Sequence, residues 1–116
     1  FLAVVAVIIQ IISDQQMYNF RKNISEPKTM QSGLWFYSRH PNYFGEILFW
    51  FSLFVFAIAS DIKFAWLLIG CVIMYALIAI ASVSMMDKRS LVRRSDFKEY
   101  MESTPAIFIN IFKKAN

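Results

Sequence analysis

The 116-residue sequence is poor in the residues that build most soluble active sites: it holds one cysteine, one histidine, three glycines and three prolines. A single cysteine, Cys71, excludes an internal disulfide and a cysteine-based zinc centre. Its place inside an apolar run reads as a small buried hydrophobe. His40 is the only histidine and the carboxylates are scattered, so no metal site is expected. There is no nucleophile-elbow pattern and no G-x-G-x-x-G, so any dinucleotide would need a route other than a Rossmann loop. Charge is also scarce, at 17% of residues against about a quarter in an average soluble domain. What fills the chain instead is apolar: 58% hydrophobic residues, 17% aromatics including 12 Phe, and a mean hydropathy of +0.47. That composition excludes disorder, collagen-like repeats and a nucleic-acid-binding arm. One domain of this length has too little interior to hide so much apolar surface. The excess must face lipid or a partner.

The chain opens at Phe1, inside an apolar run, with neither a basic n-region nor a small-residue cleavage site. It reads as the C-terminal part of a longer protein and not as a signal peptide. Phe1–Ile12 would span roughly 18 Å as a helix, short of a bilayer core of about 30 Å. Residues 1–22 are therefore expected to be a partial transmembrane helix that runs on through Asp14 and Arg21. A polar cytoplasmic loop follows over 23–42, with Pro27 and Gly33 as punctuation and Pro41 suited to a helix start. Residues 43–86 read as a transmembrane hairpin, Tyr43–Ser60 and Phe64–Met86, turned at Asp61, Ile62 and Lys63. Residues 87–116 form a basic tail with a short helix over Ser95–Ser103, capped by Ser95 and ended by Pro105. Ala106–Phe112 is an apolar patch suited to the membrane interface. The expected fold is an all-α, multi-pass transmembrane helical bundle: about three membrane helices plus a short amphipathic tail helix. Of the twelve Lys and Arg, only Lys63 lies in the hairpin turn. The positive-inside rule then puts the loop and the tail on the cytoplasmic side.

The densest polar cluster is Gly33 to Glu46, where Arg39, His40, Asn42, Tyr43 and Glu46 fall together at a membrane entry. Trp35, Tyr37 and Tyr43 also suit an interfacial aromatic belt, with Arg39 on lipid phosphates. Glu46 resists that account, because an ionisable residue one turn into an apolar helix usually faces the bundle interior with a partner. Asn42 and Glu46, four apart, share a helix face. Asp14 and Arg21, two turns apart, share another, and Arg21 offers a fork to phosphate. Arg93, Arg94 and Tyr100 sit in the tail, where basic clusters bind either anionic headgroups or a cofactor's phosphates.

The segments S-D-x-Q at 13–16, Arg21, and G-L-W-x-Y-S-R-H-P-N-Y-F-G-E at 33–46 resemble the C-terminal family of steroid 5-alpha-reductases, in particular its DUF1295 branch. The tail, with Asp-Lys-Arg, then Arg-Arg-x-x-Phe-x-x-Tyr and Thr-Pro, is similar to that family's ending. The resemblance implies an integral membrane reductase that passes hydride from NADPH to a carbon–carbon double bond in a steroid or other lipid-like substrate. It implies that Asp14, Arg21, Arg39, His40, Asn42, Tyr43, Glu46, Arg93 and Tyr100 surround the cofactor. It also implies that the groups acting on the substrate lie in an N-terminal half, so no catalytic residue is named. Phe97 stands where Tyr is frequent and Asp87 where Glu is usual, which weakens tail contacts. The expected partners are membrane lipids, a lipid-like substrate and the protein's own N-terminal half, with no nucleic acid. The membrane would be the endoplasmic reticulum in a eukaryote and the inner membrane in a bacterium. Two alternatives stay open. Isoprenylcysteine carboxyl methyltransferases, which use S-adenosylmethionine, have a similar R-H-P-x-Y-x-G segment. A non-catalytic lipid-binding membrane protein could also keep such a fold.

Overall fold

The computed structural model describes residues 1–115, and among them every regular element is helical. The elements are α1 (Leu2–Lys22), α2 (Leu34–Tyr37), α3 (Pro41–Ser60), a 3₁₀ stretch (Ile62–Leu67), α4 (Leu68–Ala76), a π-helical stretch (Leu77–Val83), α5 (Ser84–Arg93) and α6 (Phe97–Ser103). From Ile62 to Arg93 the backbone stays helical without a break, changing only its winding.

Two helices, Pro41–Ser60 and Ile62–Arg93, are long and apolar enough to cross a membrane. Their apolar side chains point away from the molecule; Phe56, Trp66, Ile69, Val72 and Ile80 are each more than half exposed. A chain with this surface needs an apolar surrounding or an apolar partner. α1 is a single helix whose polar half begins at Ser13, so its apolar half alone is short of a bilayer. Of about three membrane helices expected, two therefore meet the length and polarity that spanning requires.

Pro41 occupies the first turn of α3, as its missing N–H favours. The hairpin turn is tighter than the three residues expected. Asp61 alone leaves helical geometry, and its carboxylate accepts the Lys63 N–H at 3.0 Å to start the next helix. That second helix does not stop at Met86. Thirty-two residues at about 1.5 Å each reach about 48 Å, close to the molecule's 52 Å long axis. About 18 Å of it exceeds a bilayer core, and this excess carries Asp87 and Ser90 to the loop end of the molecule.

α1 and α3 pack closely because Gly45 has no side chain. A Cβ there would sit 2.7 Å from Gln10 Cγ and 2.9 Å from the Ala6 carbonyl oxygen. Ala6 and Ser13 are the fully buried α1 residues on this seam. The second core forms where the helix is π-wound. Ile78 and Val83, five apart, bury together as i→i+5 winding allows, and Ile107 of the C-terminal segment closes on them. The tail is thus docked. Its Ile107 is buried, while Phe108, Ile111 and Phe112 of the same apolar patch remain exposed.

Candidate functional site

The second half of α1, the start of α3, the end of α5 and α6 surround a cleft of about 360 Å³ at the loop end of the molecule. Asp14, Met17, Tyr18 and Arg21 reach it from one face of α1, at helical spacings of three, four and seven. Met86, Ser90 and Arg94 reach it from α5 and the residue after it, at steps of four. Arg39, His40 and Asn42 arrive from the α2–α3 junction, and Tyr100 from α6. Two further clefts adjoin. One of about 440 Å³ holds Gln10, Glu46, Phe49 and Trp50 and shares Asp14 and Asn42. The other, about 370 Å³, holds Lys28 and Arg93 and shares Arg21 and Arg94.

Six of the nine residues expected around a cofactor, Asp14, Arg21, Arg39, His40, Asn42 and Tyr100, therefore line one cleft. Glu46 lies next door. Arg93 lines the adjoining cationic cleft and not the main one. The reason is local: α5 ends at Arg93, and the backbone turns extended at Arg94 (φ −131°, ψ 119°). Successive side chains then diverge, and Arg94 takes the inward direction. Tyr43 is also outside the cleft; its hydroxyl donates to the Met86 sulfur at 3.3 Å and its ring packs near the Ile78–Val83 core.

The electrostatics divide the site into a structural wall and an open cationic mouth. In the wall, Asp87 accepts from Arg39 Nη1 at 2.5 Å and pairs with His40 Nε2 at 2.9 Å. Arg39 Nε donates to the Thr104 carbonyl at 3.0 Å. The Arg39 and Asp87 side chains are 12% and 13% exposed, so this is a largely desolvated charge cluster. Arg39 and His40 are thereby held in place before any ligand arrives. Tyr100, 2% exposed, donates its hydroxyl to the Trp35 and Ser38 carbonyls at 2.5 and 3.1 Å. Burial pushes the Tyr100 hydroxyl well above the ordinary tyrosine range, Arg39 opposes that and Asp87 adds to it, so the proton needed for the donation is retained. Trp35 Nε1 donates to the Ser13 carbonyl at 3.0 Å, tying the wall to α1.

At the mouth, Arg21, Arg93 and Arg94 have no carboxylate within 4.0 Å among the described residues. Burial first, then the Arg21 charge, depress the Arg94 guanidinium below its ordinary value; Asp96 opposes them, and Arg93 adds a lesser depression. Like charges held together with no carboxylate in direct contact form a ready anion site. Asn42 adds a different feature: its Oδ1 is buried and has no hydrogen-bond partner among the described residues. A buried acceptor without a donor costs about 1–3 kcal/mol, which a ligand's hydroxyl or amide would recover.

Asp96 was missed as a site-building residue. It precedes α6 without capping it through its side chain, and Ser95 does not cap it either. The Asp96 carboxylate instead accepts the Thr29 N–H at 3.0 Å and the Thr29 hydroxyl at 2.7 Å, closing the 23–33 loop over the mouth. Thr29 and Asp96 are 67 positions apart, so no local pattern could have paired them.

The family model described as "Protein of unknown function (DUF1295)" matches residues 1–104. No curated protein and no solved structure matches the chain. The family match runs from α1 to the end of α6 and takes in every residue lining these three clefts, so the chain belongs to the DUF1295 family.

Proposed function

We propose that the chain is the cofactor-holding part of an NADPH-dependent membrane reductase acting on a carbon–carbon double bond in a steroid or other lipid-like substrate. The observation that carries this reading is the pairing of Arg21 and Arg94, neither in contact with a carboxylate among the described residues, with the orphaned Asn42 oxygen in one cleft. A phosphate-bearing nucleotide answers both: anionic oxygens for Arg21 and Arg94, and a ribose hydroxyl or carboxamide N–H for Asn42. Asp14 and Glu46 offer further acceptors for ribose hydroxyls along the adjoining cleft. Bound there, NADPH supplies the hydride. The chain's own residues bind and orient. Arg39, His40, Asp87 and Tyr100 fix the wall, while the outward apolar faces of α3 and α4 give a lipid a path along the membrane.

In this reading α3 and Ile62–Arg93 cross the membrane, and the cleft lies at its cytoplasmic surface. S-adenosylmethionine fits less well, because it has no phosphate and brings a single carboxylate, beside an ammonium and a sulfonium, to a cationic cleft. Calorimetry on the full-length protein with each cofactor tests the reading. Heat with NADPH, and NADPH oxidation with an enone from a panel, is the expected result. Heat with S-adenosylmethionine alone, or with neither, overturns it. Arg94→Ala should weaken NADPH binding by about tenfold or more, as for a charge-assisted hydrogen bond. Arg93→Ala should cost less than that.

A further inference from the structure

Residues 104–113 run back across the outer side of the cleft wall, and most of that segment lies beyond the family match. Four hydrogen bonds and a buried side chain fasten it. The Arg39 N–H donates to the Pro105 carbonyl at 2.9 Å, and the Asn110 N–H donates to the Tyr37 carbonyl at 3.0 Å. The Ser38 hydroxyl donates to the Ile107 carbonyl at 2.8 Å. Arg39 Nε donates to the Thr104 carbonyl. Ile107 is 4% exposed and packs on Ile78 and Val83. The segment thus touches the residues immediately before the α3 start, where Arg39 and His40 enter the cleft.

Lys113 closes this segment on itself. Its Nζ donates to the Thr104 hydroxyl at 2.5 Å, lies 4.4 Å from the Phe36 ring centroid and 5.7 Å from that of Tyr100. An ammonium over two aromatic faces is held by their quadrupoles and by the partial loss of its water. Those rings belong to the wall: Phe36 neighbours Trp35, and Tyr100 donates to the Trp35 and Ser38 carbonyls. Burial also lowers the Lys113 ammonium below its ordinary value, consistent with this seat.

We propose that residues 104–113 are a strap that sets the position of the cleft wall Trp35–His40, with Lys113 as the positioning residue that clasps it. Lys113 does not line the main cleft, so it acts through Phe36, Tyr100 and Arg39. The cofactor part of this proposal rests on the reductase reading above; the structural part does not.

The test uses full-length protein carrying Lys113→Met or Lys113→Arg, followed by hydrogen exchange and by NADPH titration. In Lys113→Met, amide exchange over residues 36–40 and at Asn110 should speed up by about tenfold. Exchange in the middle of α3 should be unchanged, and Lys113→Arg should restore the wild-type rates. NADPH affinity should fall several-fold in Lys113→Met and recover in Lys113→Arg. Acceleration spread evenly over all helices would make Lys113 a general stabiliser and overturn the proposal. Unchanged exchange at 36–40 would overturn it too, as would a loosened wall with unaltered NADPH affinity. Wild-type protein that binds no NADPH would defeat the reductase reading instead, and the exchange experiment would still decide the strap.

Discussion

Asp87 is the residue on which the wall depends most. Among the described residues it is the one carboxylate in contact with Arg39 and His40, and removing it leaves a largely buried guanidinium without that partner. Breaking a buried pair in this way costs about 3 kcal/mol or more. Asp87→Asn should therefore lower the unfolding free energy by about that amount, read from denaturant or thermal melts in detergent. Asp96 gives a pH-dependent counterpart. Burial alone would raise its carboxyl, but the Thr29 hydroxyl and N–H outweigh burial and hold it below 3.8. A carboxyl lowered in the folded state adds stability above its unfolded pKa, and loses it as pH falls through the lower folded value. Wild-type protein should then lose stability below about pH 4 more steeply than Asp96→Asn, which already lacks the contribution. Equal slopes in acid melts would refute the Thr29–Asp96 clamp. These contacts were only partly legible in the sequence. Arg39 and His40 were marked by their motif. Their shared partner Asp87 lies 48 and 47 positions away and was noted only as a shortened substitute for Glu.

Among the elements, the α1–α3 seam and the π-wound stretch do most to place the site. Gly45 sets how near α1 comes to α3, and that distance brings Asp14 beside Asn42. Gly45→Ala meets the backbone oxygen of Ala6, which cannot rotate away, so the helices must separate. Overpacking of this kind costs about 1–3 kcal/mol. The same substitution at Gly70 meets nothing within 4 Å and should leave stability unchanged or slightly raised. A matched pair of melts on the two variants checks this, and an equal effect would discount the seam. Gly45 was legible as the glycine of the 33–46 motif, but the surface approaching it was not. Helix periodicity gives the face of each helix and leaves open which other helix covers it. The π winding had no sequence signal at all. It appears where Ile107 docks, and it lets Ile78 and Val83 share one side.

For the whole molecule, the distribution of apolar surface dictates the surroundings. The two long helices turn their large side chains outward, and the charges gather at the end that holds the clefts. If both helices cross a membrane, as proposed above, the hairpin turn and the tail must lie on opposite sides. In a Cys71→Ser background, Lys63→Cys and Lys114→Cys should react with a membrane-impermeant maleimide from opposite faces of sealed vesicles. Labelling of both from one face would refute this topology.

Amphipathic patterning and composition by themselves determined the helices, the apolar hairpin and the gathering of charge at one end. Those are local properties: helix periodicity, a proline at a first turn and a run of apolar side chains need no knowledge of distant residues. The motif from Gly33 to Glu46 likewise marked the right stretch of chain. Only the tertiary structure decided which of those polar groups meet. It brought Arg94 inward in place of Arg93, buried the Tyr100 hydroxyl against carbonyls, and left the Asn42 oxygen without a donor. It also docked Ile107, from the apolar patch expected at the membrane interface, onto Ile78 and Val83, and bound Lys113 to Thr104. Each of these outcomes depends on packing between segments far apart in the chain, where burial sets the strength of every charge and hydrogen bond, and no local pattern encodes it.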